Sequence, residues 1–229
     1  MKNTDKRKEI LESALNLISE HGFHRSPMAM IADRAKVGTG TVYCYFESKD
    51  VLIRELFLDL RETIMAVLLE GYSVDNPVRE RFMHICSRLL KYFIKHPVHF
   101  RFIEQYMNSP YGVDYRRERA LGEASGMKAM DDLFANAVTQ QIIKDFPTPV
   151  HFALAFGPLI ALARDHILGF IEVDDAMIEG LSKPAGMALK DNDKRRNRLK
   201  SLLLFTRTNV HSIKSHGSIR IRSLHDGKS

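Results

Sequence analysis

The chain has 229 residues, 45% of them apolar and 27% charged, with a net charge of +6 and a sequence pI near 9.3. That is enough apolar residue to bury a core in one large domain or two modest ones. Two cysteines, Cys44 and Cys86, exclude a disulfide-built scaffold and fit a reducing, cytoplasmic setting. The basic balance is uneven. Residues 190–229 hold eleven Lys and Arg against three Asp and Glu, so the first 189 residues carry a net −2. The high pI therefore belongs to the tail and says little about nucleic-acid binding elsewhere.

No signal peptide is expected, because Met1-Lys2-Asn3-Thr4-Asp5-Lys6 runs straight into an amphipathic helix. That first helix is predicted from about Asp5 to His21. Ile10, Leu11, Ala14, Leu15 and Ile18 form its apolar stripe, and Gly22 stops it. Lys2, Lys6, Arg7 and Lys8 suit either a solvated face or incidental phosphate contacts.

Ser26 to Asp50 reads as two short helices joined by a tight turn, then the start of another. Ser26 is placed to cap the first, and Pro27 fits its first helical position, where no amide hydrogen is needed. Met28, Ile31, Ala32 and Ala35 give it one apolar face, and Lys36-Val37-Gly38 forms the turn. The next helix, Thr39-Gly40-Thr41-Val42-Tyr43-Cys44-Tyr45-Phe46, contains mediocre helix formers. Val42 and Phe46 can face the core, leaving Thr39, Thr41, Tyr43 and Tyr45 largely outward. Small hydroxyls and phenols around Gly40 let a helix approach a DNA groove and bond phosphates or base edges. Ser48 would cap the following helix, with Lys49 as a phosphate clamp. The other reading is an ordinary helical hairpin whose tyrosines plug a core.

Ile31-Ala32, Ala35, Val37, Gly40-Thr41-Val42-Tyr43, Tyr45-Phe46 and Ser48-Lys49-Asp50 resemble the signature of the TetR family of bacterial transcription regulators. Ile10, Ala14, Leu17, Ile18 and Gly22-Phe23 extend the likeness upstream. The chain departs from the family at Lys36, where Gly is common, at Gly38, where Ser or Thr is common, and at Pro27, near which Thr is common. The resemblance implies a DNA-reading surface of Ser26, Thr39, Gly40, Thr41, Tyr43, Tyr45 and Lys49.

A long helix follows from near Lys49 towards Glu70, with Leu52, Ile53, Leu56, Leu60, Ile64 and Leu68 at helical spacing. It can act as a rigid lever between two domains. Gly71 to Pro77 is a break, and Val78 to Lys95 is another amphipathic helix ended by His96-Pro97. Val98 to Met107 is short and aromatic-rich, Asn108 to Gly112 is expected to be a loop, and Arg116 to Ile143 one or two helices. Pro147 and Pro149 forbid a continuous helix there. Thr148 to Ile171 is apolar around most of its girth, which suggests cover from a partner subunit. Arg164, Asp165 and His166 interrupt it, so it is not a membrane span. Asp174-Asp175 can cap a last helix to about Lys183. In the TetR family the last two helices pair with their copies in a second subunit, so the resemblance implies a homodimer.

Beyond that point Gly180, Pro184 and Gly186 fall where the family's final helix would continue. Residues 190–229 read as a disordered basic end or a nucleic-acid arm. A shift of reading frame just after Lys183 is a third explanation, because codons for Ala-Cys-Trp-Asp read one base late can give the run Pro184 to Met187. Sequencing the gene tests it.

The sequence contains no nucleophile elbow, phosphate loop or HExxH spacing, so the chain reads as a non-enzyme without cofactor. His96 and His99 suit a surface loop better than a metal site. The resemblance also implies a pocket for a small apolar or aromatic effector. Phe100, Phe102, Gln105, Tyr106, Phe134, Phe156 and His166 are its candidate residues, though each aromatic is as well explained as plain core and His166 as a satisfied core or interface histidine. The expected architecture is all-α: a three-helix helix-turn-helix DNA-binding domain over residues 1–48, a helical ligand-binding and dimerisation domain over 49–189, and the tail. The partners expected are a double-stranded DNA operator, the effector and a second copy of the chain, with no membrane.

Overall fold

The computed structural model describes residues 2–121 and 126–182. The tail, the suspected frame shift after Lys183 and the end of the expected second domain lie outside the described residues. Those described form ten helices and no strand: α1 (Lys2–His21), α2 (Met28–Arg34), α3 (Thr39–Tyr45), α4 (Lys49–Leu69), α5 (Val78–Lys95), α6 (Pro97–Met107), α7 (Pro110–Ala120), α8 (Lys128–Thr139), α9 (Thr148–Ile167) and α10 (Asp175–Ser182). None of them is long and apolar enough to cross a membrane.

Local chemistry sets most of the boundaries. Gly22, at φ +80°, ends α1. The Ser48 hydroxyl accepts from Val51 N at 3.2 Å and caps α4, and the Asp174 carboxylate accepts from Met177 N at 2.7 Å ahead of α10. Leu168 closes α9, where Gly169 adopts φ +78° and Phe170 N returns to Asp165 O at 2.9 Å. The helix therefore stops four residues short of the expected Ile171.

One expected loop is instead the start of a helix. Pro110 occupies the first turn of α7, where its missing N–H costs nothing. The turn from α6 is so close that a Cβ on Gly112 would lie 2.5 Å from the Tyr106 carbonyl oxygen. The stretch expected as one or two helices after Arg116 is divided between α7 and α8.

α5 is the central rod, packing against α4, α6, α8, α9 and α10, while α1 packs on α2, α4 and α6. Two groups of phenylalanine and tyrosine rings lie within the bundle, and Phe93 meets Phe100 apart from both. Phe57 and Tyr106 stack at 3.9 Å beneath Phe23, Phe102, Tyr111 and Tyr115. Phe82, Phe134, Phe152 and Phe156 meet between α5, α8 and α9. On α9 only His151, Phe156 and Ala163 are fully buried. Val150, Leu154 and Leu168 are exposed along it, Leu154 at 66%, with Ala153, Pro158 and Ala161 between them. Among the described residues nothing covers this apolar surface.

Candidate nucleic-acid interface

The turn between α2 and α3 is a helix stop built from backbone bonds. Val37 N returns to Ala32 O at 3.0 Å and Lys36 N to Asp33 O at 3.1 Å, with Lys36 in the left-handed region at φ 55°. A lysine bears a steric cost there that glycine avoids, which accounts physically for the glycine common in the resembling signature. Val37 is half-buried against the core. Gly38 then starts α3 without a side-chain cap.

Val42 and Phe46 are fully buried and fix the rotation of α3. Thr39, Gly40, Tyr43 and Cys44 consequently face out, Tyr43 at 52% exposure, while Thr41 and Tyr45 are half-buried. Above Gly40 there is open space: a Cβ built there meets nothing within 4 Å. The chain's own packing does not require this glycine. The outward face thus offers hydroxyls, a phenol and a bare stretch of backbone, which suits close approach to a groove.

Two expected contacts sit elsewhere. Ser26 is fully buried, and its hydroxyl donates to Gly22 O at 2.9 Å. The residue before α2 is Pro27, and no side chain caps that helix. Ser26 thus ties the α1–α2 connection and is not on the outward face. The Lys49 ammonium donates to the Phe23 carbonyl oxygen, turned towards the end of α1, and burial lowers its pKa from the ordinary lysine value. The opening turn of α4 is therefore fastened to the end of α1.

Of the other cations, Arg7 pairs with Glu55 at 2.6 Å and lies over the Phe46 ring, and Arg34 forks onto Glu20 at 2.9 and 3.1 Å. Arg25 and Lys36 are exposed at the two ends of α2. Neither was singled out as a contact from sequence, although a basic residue beside each end of a reading motif is a visible signal. Lys6, Lys36 and Thr41 border a polar groove of about 640 Å³ between α1 and the turn.

The candidate effector residues do not gather in one place. Phe102 and Tyr106, buried on α6, belong to the first aromatic group, Phe134 on α8 and Phe156 on α9 to the second, and Phe100, also buried on α6, meets Phe93 edge-on at 5.2 Å. Tyr106 borders a cleft of about 310 Å³ between α4, α6 and α7. Gln105 donates to Ser19 O at 3.3 Å, and its Oε1 is buried without a partner among the described residues. The His166 Nδ1 accepts from Val173 N at 3.1 Å and pins the segment after α9. His96 and His99 are half-buried at the α5–α6 joint and not on a surface loop. Their rings stack at 5.1 Å, and the Tyr92 hydroxyl lies 2.7 Å from His99 Nδ1.

Comparison with known proteins places this geometry. Residues 10–56 match the family of bacterial regulatory proteins, tetR family, and residues 77–188 the tetracyclin repressor-like C-terminal domain. The fatty acid metabolism regulator protein of Bacillus subtilis is 38% identical over 80 residues, 35% of this chain and 41% of that protein. The matched part spans roughly half the length of the first curated relatives, between 41% and 57%. A TetR-family transcription regulator of Marinobacter aquaeolei shares the fold with a TM-score of 0.66 at 24% identity, over 80% of this chain and 94% of that one. A putative TetR-family regulator of Vibrio parahaemolyticus has a TM-score of 0.62 at 28% identity, over 77% and 96%. The two family matches fall on the helix-turn-helix and on the bundle behind it, and this chain belongs to the TetR family of bacterial transcriptional regulators.

Proposed function

We propose that the chain is a ligand-responsive repressor that binds a near-palindromic operator as a homodimer in the cytoplasm. Residues 1–48 read DNA, and residues 49–189 bind a small apolar or aromatic effector and dimerise. The observation that carries this reading is the outward face of α3, where Thr39 and Tyr43 flank a glycine with open space above it. Two copies place their α3 helices in successive major grooves, about 34 Å apart. The uncovered apolar face of α9 supports the dimer.

The 21-residue α4 links the two functions as a rod about 32 Å long. Lys49 ties its first turn to Phe23 after α1, Ser48 caps that turn, and its body lies against α5. An effector releases DNA by binding better to the arrangement in which the two reading helices are wrongly spaced. The size of that effect is its differential affinity for the two states.

Fluorescence anisotropy with duplex DNA flanking the chain's own gene tests the assignment. Tyr43→Ala should weaken binding about tenfold or more, with unchanged helical content and oligomeric mass. Binding by the native protein should also fall steeply with salt. An unaltered affinity in Tyr43→Ala removes α3 as the reading surface.

A further inference from the structure

The outward face of α3 restricts which bases it can read. Thr39, Gly40, Tyr43 and Cys44 are exposed there, and Thr41 and Tyr45 are half-buried. None of these side chains carries an amide, an ammonium or a guanidinium group. The two-pronged bonds that pick out guanine need Arg or Lys, and those that pick out adenine need Asn or Gln. A threonine or a tyrosine offers one hydroxyl, which fits a phosphate as readily as a base edge.

The neighbouring helix does not supply the missing group. α2 packs on α3 and exposes Ala29, Met30, Asp33 and Arg34. Both terminal nitrogens of Arg34 are engaged by Glu20, at 2.9 and 3.1 Å. The Asp33 carboxylate can only accept, which suits the cytosine amine. Arg25 and Lys36 lie outside both helices, and Lys36 borders the groove against α1. What α3 does offer is apolar: the Thr39 methyl, the exposed Cys44 sulfur, and between them the bare backbone of Gly40. The base-edge group that matches an apolar contact in the major groove is the C5 methyl of thymine.

We propose that α3 selects its half-site through thymine methyl groups, with Thr39 and Cys44 as the specificity-determining contacts. The inference rests on the reading of α3 as the DNA-reading helix. Gly40 lets the backbone come close enough for each side chain to close over a methyl and shut out water. Thr39 and Cys44 stand more than one helical turn apart and so meet different base pairs. Tyr43 and the exposed cations hold the helix on phosphates and carry no base choice.

Selection of duplexes from a random pool by the full chain, followed by methyl editing of the selected site, tests the proposal. Replacing thymine by deoxyuridine removes the methyl and leaves every hydrogen-bonding group of the base in place. Made at one contacted position in both half-sites, it should weaken binding about tenfold or more. Cytosine at that position should bind weakly, and 5-methylcytosine should recover part of the loss. Thr39→Ser keeps the hydroxyl and loses the methyl. In that variant the deoxyuridine penalty should shrink to about twofold or less at one thymine, and in Cys44→Ser at another, with helical content unchanged. Full affinity for the deoxyuridine duplexes, or discrimination confined to G·C pairs, overturns methyl readout and leaves the regulator reading intact. A penalty of equal size in the native chain and both variants also overturns it, because the effect then arises in the DNA. Failure of the pool to yield any preferred site overturns the regulator reading itself.

Discussion

Gly40 sits inside a seven-residue helix, and an added Cβ there would meet no other part of the described residues within 4 Å. A glycine there costs about 0.5–1 kcal/mol relative to alanine. Gly40→Ala should therefore raise the unfolding free energy by about that amount in urea titrations while weakening operator binding. Gains in both quantities would show that the bare backbone serves no close approach. Lys36 is the converse case, a side chain where glycine belongs. Lys36→Gly should stabilise the fold by roughly 0.5–1 kcal/mol by relieving the left-handed strain, less the entropy glycine adds to the unfolded chain. A lower thermal midpoint in that variant would mean that the lysine side chain makes a contact outweighing the strain.

Among the elements, the α5–α6 joint is the one most exposed to pH. Burial, and after it the neighbouring His96 charge, lower the His99 pKa from its ordinary value of 6.5. The Tyr92 hydroxyl donates to Nδ1 only while that nitrogen is unprotonated. The unfolded chain therefore takes up a proton before the folded one does. The stability contributed by neutral His99 is complete above pH 6.5 and is lost as pH falls through 6.5 towards the lowered folded value. Unfolding free energies at pH 7.5 and 5.5 should differ more in the native chain than in His99→Gln, and equal differences would count against it. α6 also anchors α1, since Ser19 donates to Val98 O at 3.0 Å. Loosening this joint at low pH therefore reaches the DNA-binding end. α3 depends on its buried pair in a different way. Phe46→Ala should cost about 3–5 kcal/mol, because it opens a cavity where α3 meets the core.

At the level of the whole molecule, the proposed dimer rests on α9. Leu154 is two-thirds exposed, so Leu154→Glu leaves the protomer's own core intact. Analytical ultracentrifugation should show the native chain as a dimer and the variant as a monomer with unchanged helical content. Operator affinity should then fall to that of a single half-site, because the second head no longer binds at high effective concentration. A variant that remains dimeric would move the interface off this face.

What the residues alone determined was whatever is settled within about one helical turn. Gly22, Ser48, Asp174 and Pro97 mark their helix ends in the sequence because a cap or a stop is a local hydrogen-bonding event. The burial of Val42 and Phe46 was legible for the same reason, since their spacing equals one turn of α3. Tertiary structure alone decided where a long or ambiguous side chain ends up. Lys49 reaches back 26 residues to the Phe23 carbonyl. The aromatic candidates scatter through the interior because each ring follows the helix it meets, and hydrophobic attraction has no direction by which a sequence could assign partners.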